Sequence, residues 1–401
     1  MNSENLSFNS NSGKLNKKIL VPTSKSYANR VLILAALNPD IVVIENVPES
    51  SDVRNMIKCF KAIGLNVTQT NDQVKINNSF PACEVTTDET LVLETGDGGT
   101  TNRFLIPLLA LGKNQYKLIP AEKMSERPMD EMKNILRDLG VSIDDQSWFT
   151  LKGPYKNERK EVEVDCSETT QFATGFLLSL HKVGIKVIEK NLKTSIPYLN
   201  MTKELIIKNT NRYSVPVDFS SLSYPLAMAS FSGSLTVPNC REIDEYQADS
   251  VFVQILKDLG VQIDISSNGL SLKGLSDLPS FDVDCSACPD LVPTLCFLAS
   301  YAKDRSIIRN VEILKYKECD RLKEMLRIMN LFEVSSYYEP DQDAIIITGR
   351  IPHSNPVEVK TERDHRMVMI SHLFQRMNGG GVLHDIDCVH KSFPQFFEVM
   401  N

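Results

Sequence analysis

Leu136-Arg-Asp-Leu-Gly-Val-Ser-Ile143 recurs as Leu256-Lys-Asp-Leu-Gly-Val-Gln-Ile263, and more loosely as Phe60-Lys-Ala-Ile-Gly-Leu-Asn-Val67. In each copy an amphipathic helix closes on a glycine, the residue that enters the left-handed C-cap conformation without strain. Polarity then alternates as in a half-buried strand. Leu326-Arg-Ile-Met-Asn-Leu-Phe-Glu-Val334 reads as a fourth copy, with Asn330 in the glycine's place.

A second repeat follows at a similar offset. Val164-Asp-Cys-Ser167, Val217-Asp-Phe-Ser220 and Val283-Asp-Cys-Ser286 each stand between a strand and a helical run, and Leu151-Lys-Gly153 matches Leu272-Lys-Gly274. One unit therefore reads as strand, helix, strand, strand, and a Ser/Asp-capped turn into the next helix. Copies in both halves predict two similar α/β domains, 22–216 and 217–401, with 1–21 returning to the second through the extended piece Ile19-Leu-Val-Pro22. Helices of one unit type point their capped ends the same way. Two such domains facing each other would surround a cleft with helix N-termini.

At 401 residues the chain exceeds one comfortable core. An apolar content of 42% with 24% charged residues is that of a globular protein, and a net charge of −7 argues against nucleic acid as partner. No apolar run reaches the ~18–20 residues of a membrane span, and residues 1–18 show no signal peptide, so a cytoplasmic location is expected. Nine cysteines, an odd count, suit a reducing compartment. Cys285-Ser-Ala-Cys288 lacks a second ligand pair at zinc-like spacing and reads as two buried thiols.

Basic residues cluster at predicted helix starts. Pro22-Thr-Ser-Lys-Ser-Tyr-Ala-Asn-Arg30 leads into the apolar run 31–37, so Ser24 or Ser26 caps a buried helix that carries Lys25 and Arg30. A cation at the positive end of a helix costs about 0.3–1 kcal/mol. A bound anion reverses that sign, because backbone N–H groups and basic side chains then converge on it. Asp97-Gly-Gly-Thr-Thr-Asn-Arg103 precedes the run 104–111, and its glycines let the backbone approach a ligand. Ser125-Glu-Arg-Pro-Met-Asp130 places Arg127 just outside a helix whose first turn suits Pro128. Lys317-Glu-Cys-Asp-Arg-Leu322 taken singly is an exposed charged face. Asp364-His-Arg-Met367 opens a helix capped by Asp364, and Lys391-Ser-Phe-Pro-Gln395 reads as a capping box from Ser392 to Gln395. Such starts at matching places in a repeated unit point to a ligand that is phosphorylated or carboxylated.

These segments, in this order, resemble the 5-enolpyruvylshikimate-3-phosphate synthase family of enolpyruvyl transferases from about residue 19 to the end. Ser24–Arg30 matches the first signature, Asp97-Gly-Gly-Thr100 with Arg103 the glycine loop, and Glu126-Arg-Pro-Met129 the Glu-Arg-Pro motif. Lys317-Glu-Cys-Asp-Arg321, Asp364-His-Arg-Met367 and Lys391-Ser-Phe-Pro394 match the later ones. The resemblance implies two domains of three βαβαββ units each, closing on substrate. It implies transfer of the enolpyruvyl group of phosphoenolpyruvate to the 5-hydroxyl of shikimate 3-phosphate with release of phosphate, a step toward aromatic amino acids. No cofactor and no metal are implied, and the small-molecule partners go with a monomer.

By the same resemblance Lys25, Gly99, Arg127, Gln171, Arg321, Arg366 and Lys391 hold phosphoenolpyruvate. Lys25, Ser26, Arg30, Thr169, Thr170, Gln171, Ser195, Tyr198, Asp290 and Lys317 hold shikimate 3-phosphate. Asp290 accepts the hydroxyl proton, Glu318 handles the proton at C3, and Lys25 joins them in catalysis. The chemistry asks for both acids, because an enol ether carbon is a weak electrophile until C3 is protonated and an alcohol is a poor nucleophile until its proton is accepted. Thr169-Thr170, Ile196, Asn200, Ile313 and Phe104 depart from the family pattern, which bears on affinity and on glyphosate sensitivity rather than on reaction type. A UDP-N-acetylglucosamine enolpyruvyl transferase is the nearest alternative, since Arg127-Pro-Met-Asp130 resembles its Arg-Pro-x-Asp. The stretch 111–126, however, has no cysteine, and that enzyme's first motif lacks Ser-Lys-Ser. The other alternative, a non-catalytic anion-binding relative, is opposed by the retained Asp290 and Glu318.

Overall fold

The computed structural model describes residues 5–8, 14–156, 159–193, 195–349 and 355–401. The chain forms two compact units: Thr23–Pro216, and Val217–Asn401 joined by the N-terminal Met1–Pro22.

Within Thr23–Pro216 the first sheet has the order Arg212–Ser214, Val42–Glu45, Gln73–Ile76, Val67–Thr70. Its first pair is parallel and the others antiparallel. The second sheet repeats this pattern with Leu91–Gly96, Gln115–Pro120, Phe149–Lys152 and Ser142–Asp144. The third, among the described residues, is the parallel pair Glu161–Asp165 and Lys186–Lys190 alone.

The other unit follows the same plan. Its first sheet is Asn16–Lys18, Ser234–Val237, Gly269–Lys273, Gln262–Ser266, and its second is Asp282–Asp284, Ser306–Arg309, Ala344–Thr348, Ser335–Glu339. Its third pairs Asn5–Phe8 antiparallel with Gly381–His384. The fold is thus the duplicated α/β architecture expected, with third sheets of two strands each among the described residues.

A parallel pair needs a crossover, and helices supply it. Gly99–Leu109, Phe219–Ala229 and Val292–Ser300 are buried along their whole length, polar first turns included in the first two. The three glycine stops behave alike. Gly64, Gly140 and Gly260 have φ of 104°, 79° and 92°. The next residue in each case donates back across the turn: Leu65 N to Phe60 O, Val141 N to Leu136 O and Val261 N to Leu256 O, at 2.9 to 3.0 Å.

The fourth copy exists in a different register. Helix Arg321–Leu331 runs past Asn330, and the left-handed residue is Glu333, φ 57°, with Val334 N bonded to Met329 O at 2.9 Å. The longer helix buries Ile328, Met329 and Phe332 completely, and that burial outweighs the ~1–2 kcal/mol of left-handed strain in a residue with a Cβ.

The Val-Asp-x-Ser repeat is an Asx turn clipped to a neighbouring strand. Asp165 accepts from Ser167 N at 2.8 Å and from Asn191 Nδ2 at 3.1 Å; Asp284 accepts from Ser286 N and Asn310 Nδ2, both at 2.8 Å. The third copy differs, because Asp218 caps Phe219–Ala229 by accepting from Ser221 N at 2.8 Å.

Other local expectations need correction. Helix Gly99–Leu109 starts at the glycine rather than at Phe104, because the polar Thr101 and Asn102 find buried partners: Asp52 O at 3.0 Å and Gly98 O at 2.9 Å. Pro128 precedes the cap Met129 of helix Asp130–Asp138 and is not in its first turn. No Ser392–Gln395 box forms. Pro394 biases Phe393 away from helix, so Phe396–Met400 begins after it with Gln395 as a cap that makes no side-chain bond. Cys285 and Cys288 are free and buried.

Candidate active site

In the unit Thr23–Pro216 the expected residues gather at helix N-termini. Ser24 caps Lys25–Ala36 by accepting from Tyr27 N at 3.3 Å, which places Lys25 in the first turn. Lys25 Nζ stands 3.0 Å from Asp52 Oδ2; the acid is 0% exposed and the lysine 16%. Asp52 opens the neighbouring helix Ser51–Ala62 and lies against Gly98, where a Cβ would come within 2.6 Å of its Oδ1.

Gly99 is the meeting point of the next group. A Cβ there would stand 2.6 Å from Arg127 Nη1 and 3.0 Å from Gln171 Oε1, so a larger residue would push these two side-chain ends aside. Gln171 heads helix Gln171–Leu180, and its Oε1 accepts from Arg103 Nη1 at 2.9 Å. Thr169 Oγ1 accepts from Gln171 N at 3.2 Å, and the buried Thr170 is the cap residue. Ser195, φ 57°, precedes helix Ile196–Lys208 and makes no side-chain cap bond.

Arg30 is buried and bound to its own chain. Nε donates to Thr202 Oγ1 at 2.8 Å, Nη1 to Ser26 O at 2.7 Å and Nη2 to Tyr198 O at 3.1 Å. Its guanidinium lies 5.3 Å from the Phe104 ring centroid and 5.8 Å from that of Tyr198. Burial lowers its pKa to about 10, which leaves it charged at neutral pH.

The other unit holds a denser lattice. Arg321, 2% exposed, heads helix Arg321–Leu331 and bridges three carboxylates. Nη1 donates to Asp290 Oδ1 at 3.0 Å, Nη2 to Glu318 Oε2 at 2.6 Å, and Nε to Asp364 Oδ2 at 2.7 Å. Arg366 Nη2 reaches Asp290 Oδ2 at 2.9 Å, Lys317 Nζ lies 3.5 Å from Asp290 Oδ1, and Lys391 Nζ lies 3.4 Å from Glu318 Oε1. Asp364 caps helix His365–Met377 by accepting from Arg366 N at 2.8 Å.

Burial alone would push the Asp290 carboxyl up. Arg366, Lys317 and Arg321 outweigh it and hold the group well below the ordinary carboxylate range. The Lys317–Arg321 stretch is therefore no solvated face. Two acids sit on adjacent nitrogens of one guanidinium, ringed by further cations. Such an arrangement can bind anions through cation exchange and pass protons through either acid.

The sequence assigns Asp52 and Asp249 no role, and marks Asp364 only as a helix cap rather than as a partner of Arg321. Asp52 and Asp364 stand at helix starts, where an acid is favoured by the dipole in any case, so neither carries a distinguishing signal. Among the described residues no helix is long and apolar enough to cross a membrane.

Two units of repeated strand–helix layers, with cations and carboxylates gathered at helix starts, define an α/β protein built to handle small anions. The same fold occurs in an EPSP synthase from Acinetobacter baumannii, which superposes with a TM-score of 0.77 at 18% identity over 99% of this chain and 97% of that one. Among curated proteins, a 3-phosphoshikimate 1-carboxyvinyltransferase from Thermococcus kodakarensis is 31% identical over 96% of both chains. Another from Pseudoalteromonas translucida is 30% identical, again over 96% of each. The sequence profile described as EPSP synthase (3-phosphoshikimate 1-carboxyvinyltransferase) matches residues 10–209 and 179–400, and the chain belongs to that family.

Proposed function

We propose that this chain transfers the carboxyvinyl group of phosphoenolpyruvate to the 5-hydroxyl of shikimate 3-phosphate and releases inorganic phosphate. Family membership supports the reaction. The observation that carries the assignment of roles is the placement of Asp290 and Glu318 on neighbouring nitrogens of Arg321.

Arg127, Arg321, Arg366 and Lys391, with Lys25 and Gln171 and the open approach at Gly99, bind the phosphate and carboxylate of phosphoenolpyruvate. Ser26, Arg30, Thr169, Thr170, Ser195, Tyr198 and Lys317 serve shikimate 3-phosphate. Without ligand, cations and acids neutralise one another. An arriving anion competes for the cations. As Arg366 and Lys317 turn toward it, Asp290 loses the charges that depress its pKa and becomes a competent proton acceptor.

The 5-oxygen then bonds to C2 while its proton passes to Asp290, and C3 takes a proton through Glu318. The tetrahedral intermediate next loses a proton from C3. The bond from C2 to the phosphate oxygen breaks, which restores the double bond and frees phosphate. Cations left around the departing group offset its charge. The same reading takes the enzyme to work as a cytoplasmic monomer.

Phosphate release measured with both substrates present tests the proposal. The natural chain releases phosphate, and Asp290→Asn lowers kcat by about 10²–10⁴-fold while a normal melting curve is retained. A folded natural chain that releases no phosphate from the pair would overturn it.

A further inference from the structure

Arg366 is held by the helix that the Val217-Asp-Phe-Ser220 repeat opens. Its Nη1 donates to Ser220 Oγ, while Nη2 reaches Asp290 Oδ2 at 2.9 Å. Ser220 lies in the first turn of Phe219–Ala229, fixed by the Asp218 cap. Tyr224 stands one turn further on, so the two hydroxyls share a helix face. Tyr224 is fully buried and packs edge-to-face on Phe396 at 6.0 Å between centroids. Burial pushes its phenol up to about 12 against the downward pull of Arg366 and Arg321. Asp249, fully buried, is also near this group: Ser220 and Arg366 both lower its pKa against the upward push of burial.

A guanidinium is a rigid planar fork, so a bond at one nitrogen dictates where the others point. With Nη1 held, the freedom left is rotation of the whole fork about that contact, which carries Nη2 from Asp290 to a ligand oxygen close by. We propose that Ser220 is a positioning residue that pivots Arg366 between Asp290 and an anionic oxygen of phosphoenolpyruvate. The inference rests on the assignment of Arg366 to that substrate.

Steady-state kinetics on the full chain tests it through a double-mutant cycle. Ser220→Ala raises KM for phosphoenolpyruvate about tenfold, the size of one lost hydrogen bond to a charged group, and leaves KM for shikimate 3-phosphate within about twofold. Ser220→Thr, which keeps the hydroxyl, restores most of the loss. In an Arg366→Lys background Ser220→Ala adds less than about twofold, because the group it positions is gone. Should Ser220→Ala melt early, Ser220→Cys, which fills the same space with a weak acceptor, gives the same selective pattern.

Equal rises in both KM values would overturn the pivot. So would a full tenfold effect of Ser220→Ala on top of Arg366→Lys. An Arg366→Lys variant with unchanged KM for phosphoenolpyruvate would remove the assignment of Arg366 itself, and the pivot with it.

Discussion

Asp249 shows how one side chain bends the pH response of the whole fold. It is buried, with Asp290 and Asp218 raising its pKa and Arg366 and Ser220 lowering it; burial is the largest influence and carries it from the ordinary 3.8 to about 7. Between those values the folded chain holds a proton that the unfolded chain has released. Stability due to this group is therefore greatest near pH 4 and falls as pH rises toward 7. Asp249→Asn abolishes that slope. Its melting temperature relative to the parent is accordingly higher at pH 8 than at pH 5, a comparison read directly by calorimetry; an equal difference at both values would refute the assignment. Arg321 illustrates the limits of reading at this scale. The sequence places it in a charged run, and only folding reveals that three carboxylates from separate segments share it. Cations at helix starts stand out because the dipole disfavours them. Their acidic partners do not stand out, because the dipole favours acids there.

Helix ends make up the next scale, and they sort by backbone rather than by residue type. The glycine stops at 64, 140 and 260 were legible because a Cβ there costs energy and a repeated glycine advertises the turn. The fourth stop was misplaced because Glu333 bears that strain without a glycine to mark it. Glu333→Gly is expected to stabilise the chain by about 0.5–1 kcal/mol in urea unfolding, the strain relieved less the added freedom of the unfolded state. Alanine at the glycines separates strain from crowding. At Gly260 the nearest atom to a new Cβ is Leu275 Cδ1 at 3.5 Å, so only φ is penalised. At Gly64 the same Cβ would lie 2.2 Å from Cys83 O, so Gly64→Ala costs more than Gly260→Ala. The clips from Asn191 and Asn310 to the turn aspartates were not legible, since each joins residues 26 apart whose pairing exists only in the sheet.

At the scale of the molecule, the duplicated α/β plan was readable because each copy repeats the same caps and polarity switches. The identity of the family was readable because several motifs recur in one order. What the sequence could not display is how far apart along the chain the partners lie. Asn16–Lys18 pairs with Ser234–Val237, Val21 exchanges bonds with Asn239 across 218 positions, and Asn5–Phe8 pairs with Gly381–His384. On a ribosome elongating at about 5–20 residues per second, those early strands emerge many seconds before anything they can pair with. The segment Thr23–Pro216, whose sheets and core are all its own, is complete once Arg212–Ser214 has emerged to pair with Val42–Glu45. A nascent chain stalled near residue 260 should thus show a protease-resistant body spanning Thr23–Pro216 and a digestible leader, whereas uniform digestion would contradict that order. Until the last strand leaves the exit tunnel, the opening strands need shielding, and a delay in late translation prolongs their exposure to aggregation.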